Sequence, residues 1–250
     1  MTKISDVYDY LCELAPLELQ LPFDNSGFLL GRKDGEVKRV LLALDVTPAV
    51  ISEAIGFGAE LIISHHPVIF SPLKSVTDEK YIRLAENRMA VISMHTNLDI
   101  AEGGVNDVLL SSLGAEYTGA LDKDGCGRIG TLQKEMPLQS FIEVCKGKLG
   151  CKGIRYYDSG KSVKNIAVMG GSGGDALGDA AQKGCDTYVT ADIKYHQFLC
   201  AAELGINLID ADHFCTENPV MPVLQKKLAE HFSDTDFILS KSHKAIIEFA

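Results

Sequence analysis

Leu61-Ile62-Ile63-Ser64-His65-His66-Pro67 is a short apolar run that ends in two adjacent imidazoles and a proline. A continuous apolar run of this length, closed by a turn signal, reads as a strand buried on both faces of a parallel sheet. Two other stretches have the same form, Ala90-Val91-Ile92-Ser93-Met94-His95-Thr96-Asn97-Leu98-Asp99 and Asn207-Leu208-Ile209-Asp210-Ala211-Asp212-His213-Phe214-Cys215-Thr216-Glu217. Each runs from hydrophobic core into imidazole and carboxylate. Open parallel sheets place their sites at the carboxyl ends of strands, so the pattern predicts an α/β protein organised around a metal site.

Working outward, the first half reads as a helix over 3–14, a short strand to Leu30, a strand from Val37 to Leu44, and a helix from Pro48 to Phe57 capped by Thr47. Strand 60–64, helix 78–88, strand 89–94 and a His95 to Asp99 loop follow. The second half repeats the form: strand Asn165 to Met169, Gly170-Gly171-Ser172-Gly173-Gly174 and a helix; strand Thr187 to Thr190 and a helix; strand Asn207 to Ile209, the Asp210 to Glu217 segment and a helix to about Phe232. Between them lie a strand, a helix over 137–149 and a strand over 153–157. The expected architecture is two similar βαβαβ lobes, residues 1–118 and 119–250, with mainly parallel sheets facing a shared metal-binding cleft. Closing strands at 236–239 and 243–249 can pack on either lobe.

Bulk properties narrow the function. The chain of 250 residues carries a formal charge of −10, which repels polyanions and disfavours nucleic acid, including a single strand threaded through a central hole. Seven widely spaced cysteines without a CxxC pair suit a reducing, cytoplasmic setting. No stretch approaches the roughly 18 apolar residues of a membrane span, so no membrane partner is expected.

Pro67 turns the chain after His65 and His66, so the two rings can serve two metals; their plainer reading is a buried pair bonded to backbone carbonyls. Asp99 is a candidate ligand or an Asx turn. His213 and Glu217, four apart, share a helix face and are either ligands or an exposed pair at a helix start. Three imidazoles and two carboxylates suit Zn, Mn, Fe, Co or Ni, and five donors exceed what one catalytic ion takes. Two divalent ions per chain roughly 3.5–4 Å apart, with Glu217 as the bridge, fit better. Asp45, His95, Asp192 and His196 stand near strand ends as orienting or proton-carrying groups. Lys194 can meet substrate charge or simply be solvated. The glycine run offers N–H groups to an anion or makes a tight strand-to-helix turn.

Phe23-Asp24-Asn25-Ser26-Gly27, Ser64 to Phe70, His95 to Asp99 with Gly103-Gly104-Val105-Asn106, Gly170 to Gly173, Thr190 to His196 and Asp210 to Glu217 together resemble the successive motifs of the NIF-three-like family, the GTP cyclohydrolase 1 type 2 homologues, in its short form. The resemblance implies a dinuclear metal centre on His65, His66, Asp99, His213 and Glu217, and a toroidal homohexamer with the metal sites facing its cavity. It implies a hydrolase that opens the imidazole ring of GTP or a related purine nucleotide with a metal-bridging hydroxide, His95 or His196 carrying protons. A different class of function is a metal-binding hexameric assembly or regulatory protein that binds partners or nucleotides without turnover. Two positions depart from the family pattern: Ala191 and Asp212 stand where relatives usually carry glycine.

Overall fold

A computed structural model describes residues 1–249. In chain order its elements are α1 (Ile4–Leu14), β1 (Gly27–Leu30), β2 (Arg39–Ala43), α2 (Pro48–Phe57), β3 (Leu61–Ser64), α3 (Glu79–Glu86), β4 (Ala90–Ser93), α4 (Thr96–Ile100), α5 (Val105–Ser112), β5 (Ala115–Ala120), β6 (Arg128–Met136), α6 (Leu138–Leu149), β7 (Arg155–Tyr157), β8 (Val163–Val168), α7 (Leu177–Gln182), β9 (Thr187–Thr190), α8 (Tyr195–Leu204), β10 (Asn207–Asp210), α9 (His213–Glu217), α10 (Val220–His231) and β11 (Asp236–Leu239). Among the described residues no helix is long and apolar enough to cross a membrane. The described chain forms two compact units, one from residues 1–102 and 221–244, the other from 103–220 and 245–249.

The first unit holds a five-stranded sheet in the order β1-β4-β3-β2-β11. All four residues of β3 and of β4 are buried, as the unbroken apolar runs require of strands covered on both faces. Strands β11, β2, β3 and β4 are parallel, and β1 closes the edge antiparallel to β4. Thr47 accepts a hydrogen bond from the Val50 N–H and Pro48 opens α2, the local chemistry that starts this crossover helix. Its Val50, Ile51 and Ala54 pack on Leu41, Ile62 and Val91 in one cluster. The parallel register sets Ala43 beside Ser64 and Ser64 beside Ser93, so the residues that follow, Asp45, His65, His66 and His95, emerge together at one edge.

The second unit holds a six-stranded sheet, β5-β6-β8-β9-β10-β7. Side-chain alternation divides its core: Val168, Val189 and Ile209 join the cluster of α5 and α6, whereas Ala167, Tyr188 and Leu208 join that of α7 and α8. Its βαβαβ centre, β8-α7-β9-α8-β10, is parallel as predicted, but β5, β6 and β7 pair antiparallel, so the second sheet is mixed rather than mainly parallel.

Other expectations are corrected as well. The boundary falls near Gly103, not between 118 and 119, because Leu109, Leu110 and Leu113 bury in the second unit's core. Strand β11, which could pack on either lobe, adds to β2 of the first unit, and residues 221–235 before it lie in that unit rather than in the second lobe. No strand forms over 243–249; Ile246 is 88% exposed and that segment joins neither sheet. The stretch read as a loop after His95 is helical from Thr96.

Candidate metal centre

In the first unit three imidazoles meet where β3 and β4 end. His65 is fully buried, and its Nδ1–H donates to the Met94 carbonyl at 2.8 Å. A carbonyl only accepts, so the lone pair of the neutral ring lies on Nε2, which is 3.6 Å from Asp99 Oδ1. His66 Nδ1 is 2.7 Å from Asp45 Oδ1, and His95 Nδ1 is 2.7 Å from Asp24 Oδ1. These carboxylates likewise hold the proton on Nδ1 and turn Nε2 away from themselves. A ring nitrogen of each histidine lies within 4.8 Å of those of the other two. His65 and His66 are each fixed in tautomer by an oxygen behind the ring, as a divalent transition metal requires of histidine ligands, and His95 is held beside them in the same way.

The orienting carboxylates are themselves held charged. Burial raises the carboxyl pKa of Asp24, but hydrogen bonds from His95, Thr96 and Ser26 outweigh it and bring it well below the usual carboxylate range. Asp45 shows the same balance, with His243 and His66 overcoming the burial. His243, on the segment after β11, accepts from the Leu44 N–H through Nδ1 and lies 3.7 Å from Asp45 through Nε2.

In the second unit α9 begins at His213. Asp212 caps it by accepting from the Cys215 N–H, at a backbone φ of +68°. That conformation favours glycine, yet an aspartate adopts it here. The additional carboxylate is spent on the cap. The i,i+4 spacing brings His213 Nε2 to 3.1 Å from Glu217 Oε2, and Nδ1 to 2.7 Å from Asp192 Oδ2. Burial lowers the His213 pKa, yet the two carboxylates overcome it and push the ring up to about 9. The pKa is raised on folding, so in metal-free protein the stability gained from the protonated ring is complete below pH 6.5 and lost as pH climbs through about 9. A metal held by this pair would take the place of the Nε2 proton, so its affinity would rise over the same window. Thermal melts of metal-free wild type and His213→Ala should therefore converge above pH 9, and a gap that persists there would refute this assignment.

The glycine run packs against this pair. The N–H groups of Gly170, Gly171 and Gly173 are bonded to Asn106, Thr216 and Thr190 within the unit, so they are not directed at an anion. Gly171 sits at φ +65°, and a Cβ there would lie 2.1 Å from Glu217 Oε1. The run is the tight strand-to-helix turn of the two readings. Buried Ala191 donates its N–H to the Gly171 carbonyl.

Of the residues singled out from sequence, the first unit gathers His65, His66, Asp99 and His95, with Asp45 behind His66. The second unit gathers His213 and Glu217, with Asp192 behind. His196 and Lys194 are exposed at the start of α8. Asp24 and His243 were missed as site residues. Asp24 belongs to one of the motifs that carry the family resemblance, but nothing local marks it as the partner of His95.

The family model described as Duf34/NIF3 (NGG1p interacting factor 3) matches residues 2–245. The chain belongs to the NIF3 family. Among curated NIF3 relatives, a Clostridium perfringens protein named GTP cyclohydrolase 1 type 2 homolog is 38% identical, the alignment covering 99% of each chain. One of the same name from Clostridium acetobutylicum is 34% identical over 90% of this chain and 89% of its own length. The solved structure of a Bacillus cereus protein related to NIF3 superposes with a TM-score of 0.91 at 27% identity, covering 100% of this chain and 99% of the other. The NIF3 fold is accordingly mixed α/β with two sheets.

Proposed function

We propose that this protein is a metal-dependent hydrolase that opens the imidazole ring of a purine nucleotide such as GTP. The observation that carries the reading is the convergence of three tautomer-fixed imidazoles at the ends of β3 and β4; the relatives' names direct it to GTP. Water adds to the ring carbon between the two imidazole nitrogens, one C–N bond breaks, and the departing nitrogen takes a proton, leaving a formamido product. Bound divalent ions supply polarised water and stabilise the developing charge. In this reading His65, His66, Asp99, His213 and Glu217 are the ligands, for two ions per chain. The Met94 carbonyl, Asp45 and Asp192 hold three of those rings in the ligating tautomer. His95 carries the proton at Nε2, its Nδ1–H being held by Asp24. The donor set accepts Zn, Mn, Fe, Co or Ni. The reading includes the toroidal homohexamer, which light scattering would test.

The deciding experiment is elemental analysis of wild type and Glu217→Ala after metal reconstitution, with GTP ring opening assayed on the same samples. About two metals per chain, falling in the variant together with turnover, is the expected result. Metal without GTP turnover would discard the substrate and leave a metal-binding protein without this catalysis. Wild type that takes up no metal would discard the centre.

A further inference from the structure

Single exposed apolar side chains are ordinary, whereas exposed aromatic rings grouped beside a polar site mark a contact surface. In the first unit Phe23 is 63% exposed and Phe70 is 49% exposed, yet the two rings lie 6.5 Å apart. Phe70 also meets the His95 ring edge-on at 6.3 Å. The exposed aromatic pair therefore borders the three-imidazole group directly.

Both phenylalanines are held by the hydrogen bonds that hold the site. The turn carrying Phe23 is pinned through Asp24, which accepts from the Thr96 N–H and from His95 Nδ1. Asn25 Nδ2 donates to the Ile69 carbonyl at 2.6 Å, tying that turn to the loop that presents Phe70. The backbone of both rings is thus fixed to the same framework that orients His95. Such preorganisation limits the ordering cost that a ligand must meet when it lies against the rings.

We propose that Phe23 and Phe70 form an aromatic platform that stacks the planar base of the substrate and so presents its five-membered ring to the imidazole group. The proposal rests on the purine-nucleotide reading and adds to it the residues that recognise the base. A π face suits any flat heteroaromatic ring, so this contact supplies affinity for the base, and the choice among purines falls to other groups.

The test uses metal-loaded full-length protein, with GTP as probe and inorganic tripolyphosphate as a probe without a base. Phe70→Leu and Phe23→Leu keep apolar bulk and remove the ring, whereas Phe70→Trp keeps a ring. Metal content, assembly mass and GTP ring opening are measured on the same samples. We expect each leucine variant to weaken GTP about five- to 150-fold, the range for base stacking, with tripolyphosphate binding and metal content unchanged and with Phe70→Trp close to wild type. If both leucine variants bind GTP as wild type does, or weaken GTP and tripolyphosphate equally, the platform is refuted. A changed assembly mass in the leucine variants would refute it too, by showing that the rings cover a subunit contact, as would wild type that does not bind GTP. GTP bound with the expected ring dependence but never opened would leave the platform standing and overturn the hydrolase.

Discussion

Asp24→Asn should leave the protein folded and its turnover about 100-fold lower or worse, an effect out of proportion to the exchange of one oxygen for an NH2 group. Asp24 Oδ1 accepts from His95 Nδ1 and the Asn25 N–H, while Oδ2 accepts from the Thr96 N–H and the Ser26 and Thr96 hydroxyls. Every partner is a donor, so only a carboxylate satisfies them all. An amide must aim its own donor at one set. Aimed at Thr96, it opposes a backbone N–H that cannot turn away, at a cost of about 1–3 kcal/mol. Aimed at His95, it forces the proton to Nε2 and removes the lone pair from the face of the ring that meets His65 and His66. Asp24→Glu does not restore the geometry, because the extra methylene displaces the carboxylate from a side chain with no exposure. The check is kcat/KM together with the His95 tautomer from nitrogen chemical shifts. Unchanged turnover with an unchanged tautomer would remove Asp24 from the machinery.

Gly171→Ala is the second large effect. An alanine at φ +65° costs about 1–2 kcal/mol in backbone conformation alone. Its Cβ, 2.1 Å from Glu217 Oε1 and 3.1 Å from His213 Nε2, must also drive the carboxylate aside, adding about 1–3 kcal/mol. Metal content should fall with stability, since the displaced group is the proposed bridging ligand. A double-mutant cycle separates the two costs. In a Glu217→Ala background the steric part disappears and only the backbone part remains, so the two substitutions should be markedly less destabilising together than their sum. Strict additivity in denaturant melts would show that the glycine serves the backbone alone.

What the sequence made legible was local. The unbroken apolar runs of β3, β4, β9 and β10 marked buried parallel strands, and Thr47-Pro48 marked the start of α2, because these signals depend on residues next to one another. The spacing of His213 and Glu217 foretold a shared helix face for the same reason. Asp45 and Asp192 were recognisable as orienting groups, since they too follow strand ends. Asp24 was not, because its place behind His95 depends on β1 running antiparallel to β4, with Gly27 opposite Ser93. No local pattern announces that pairing. His243 reaches Asp45 only after β11 has added to β2, a contact spanning nearly the whole chain. The boundary at Gly103 was obscured because α5 is amphipathic and would suit either core; which one takes Leu109 and Leu110 is settled by tertiary packing.

The first unit's sheet is assembled from the two ends of the chain, with Val40 beside Phe237. During synthesis β2 therefore waits at a sheet edge, its backbone donors and acceptors unpaired, until β11, about 200 residues later, has been made. The second unit's six strands, β5 to β10, are all complete before β11 appears, so that unit can mature first. A nascent chain arrested before residue 236 would carry an open β2 edge and an Asp45 not yet joined by His243. Termination before residue 236 is thus more prone to yield aggregation through β2 than a stable folded protein.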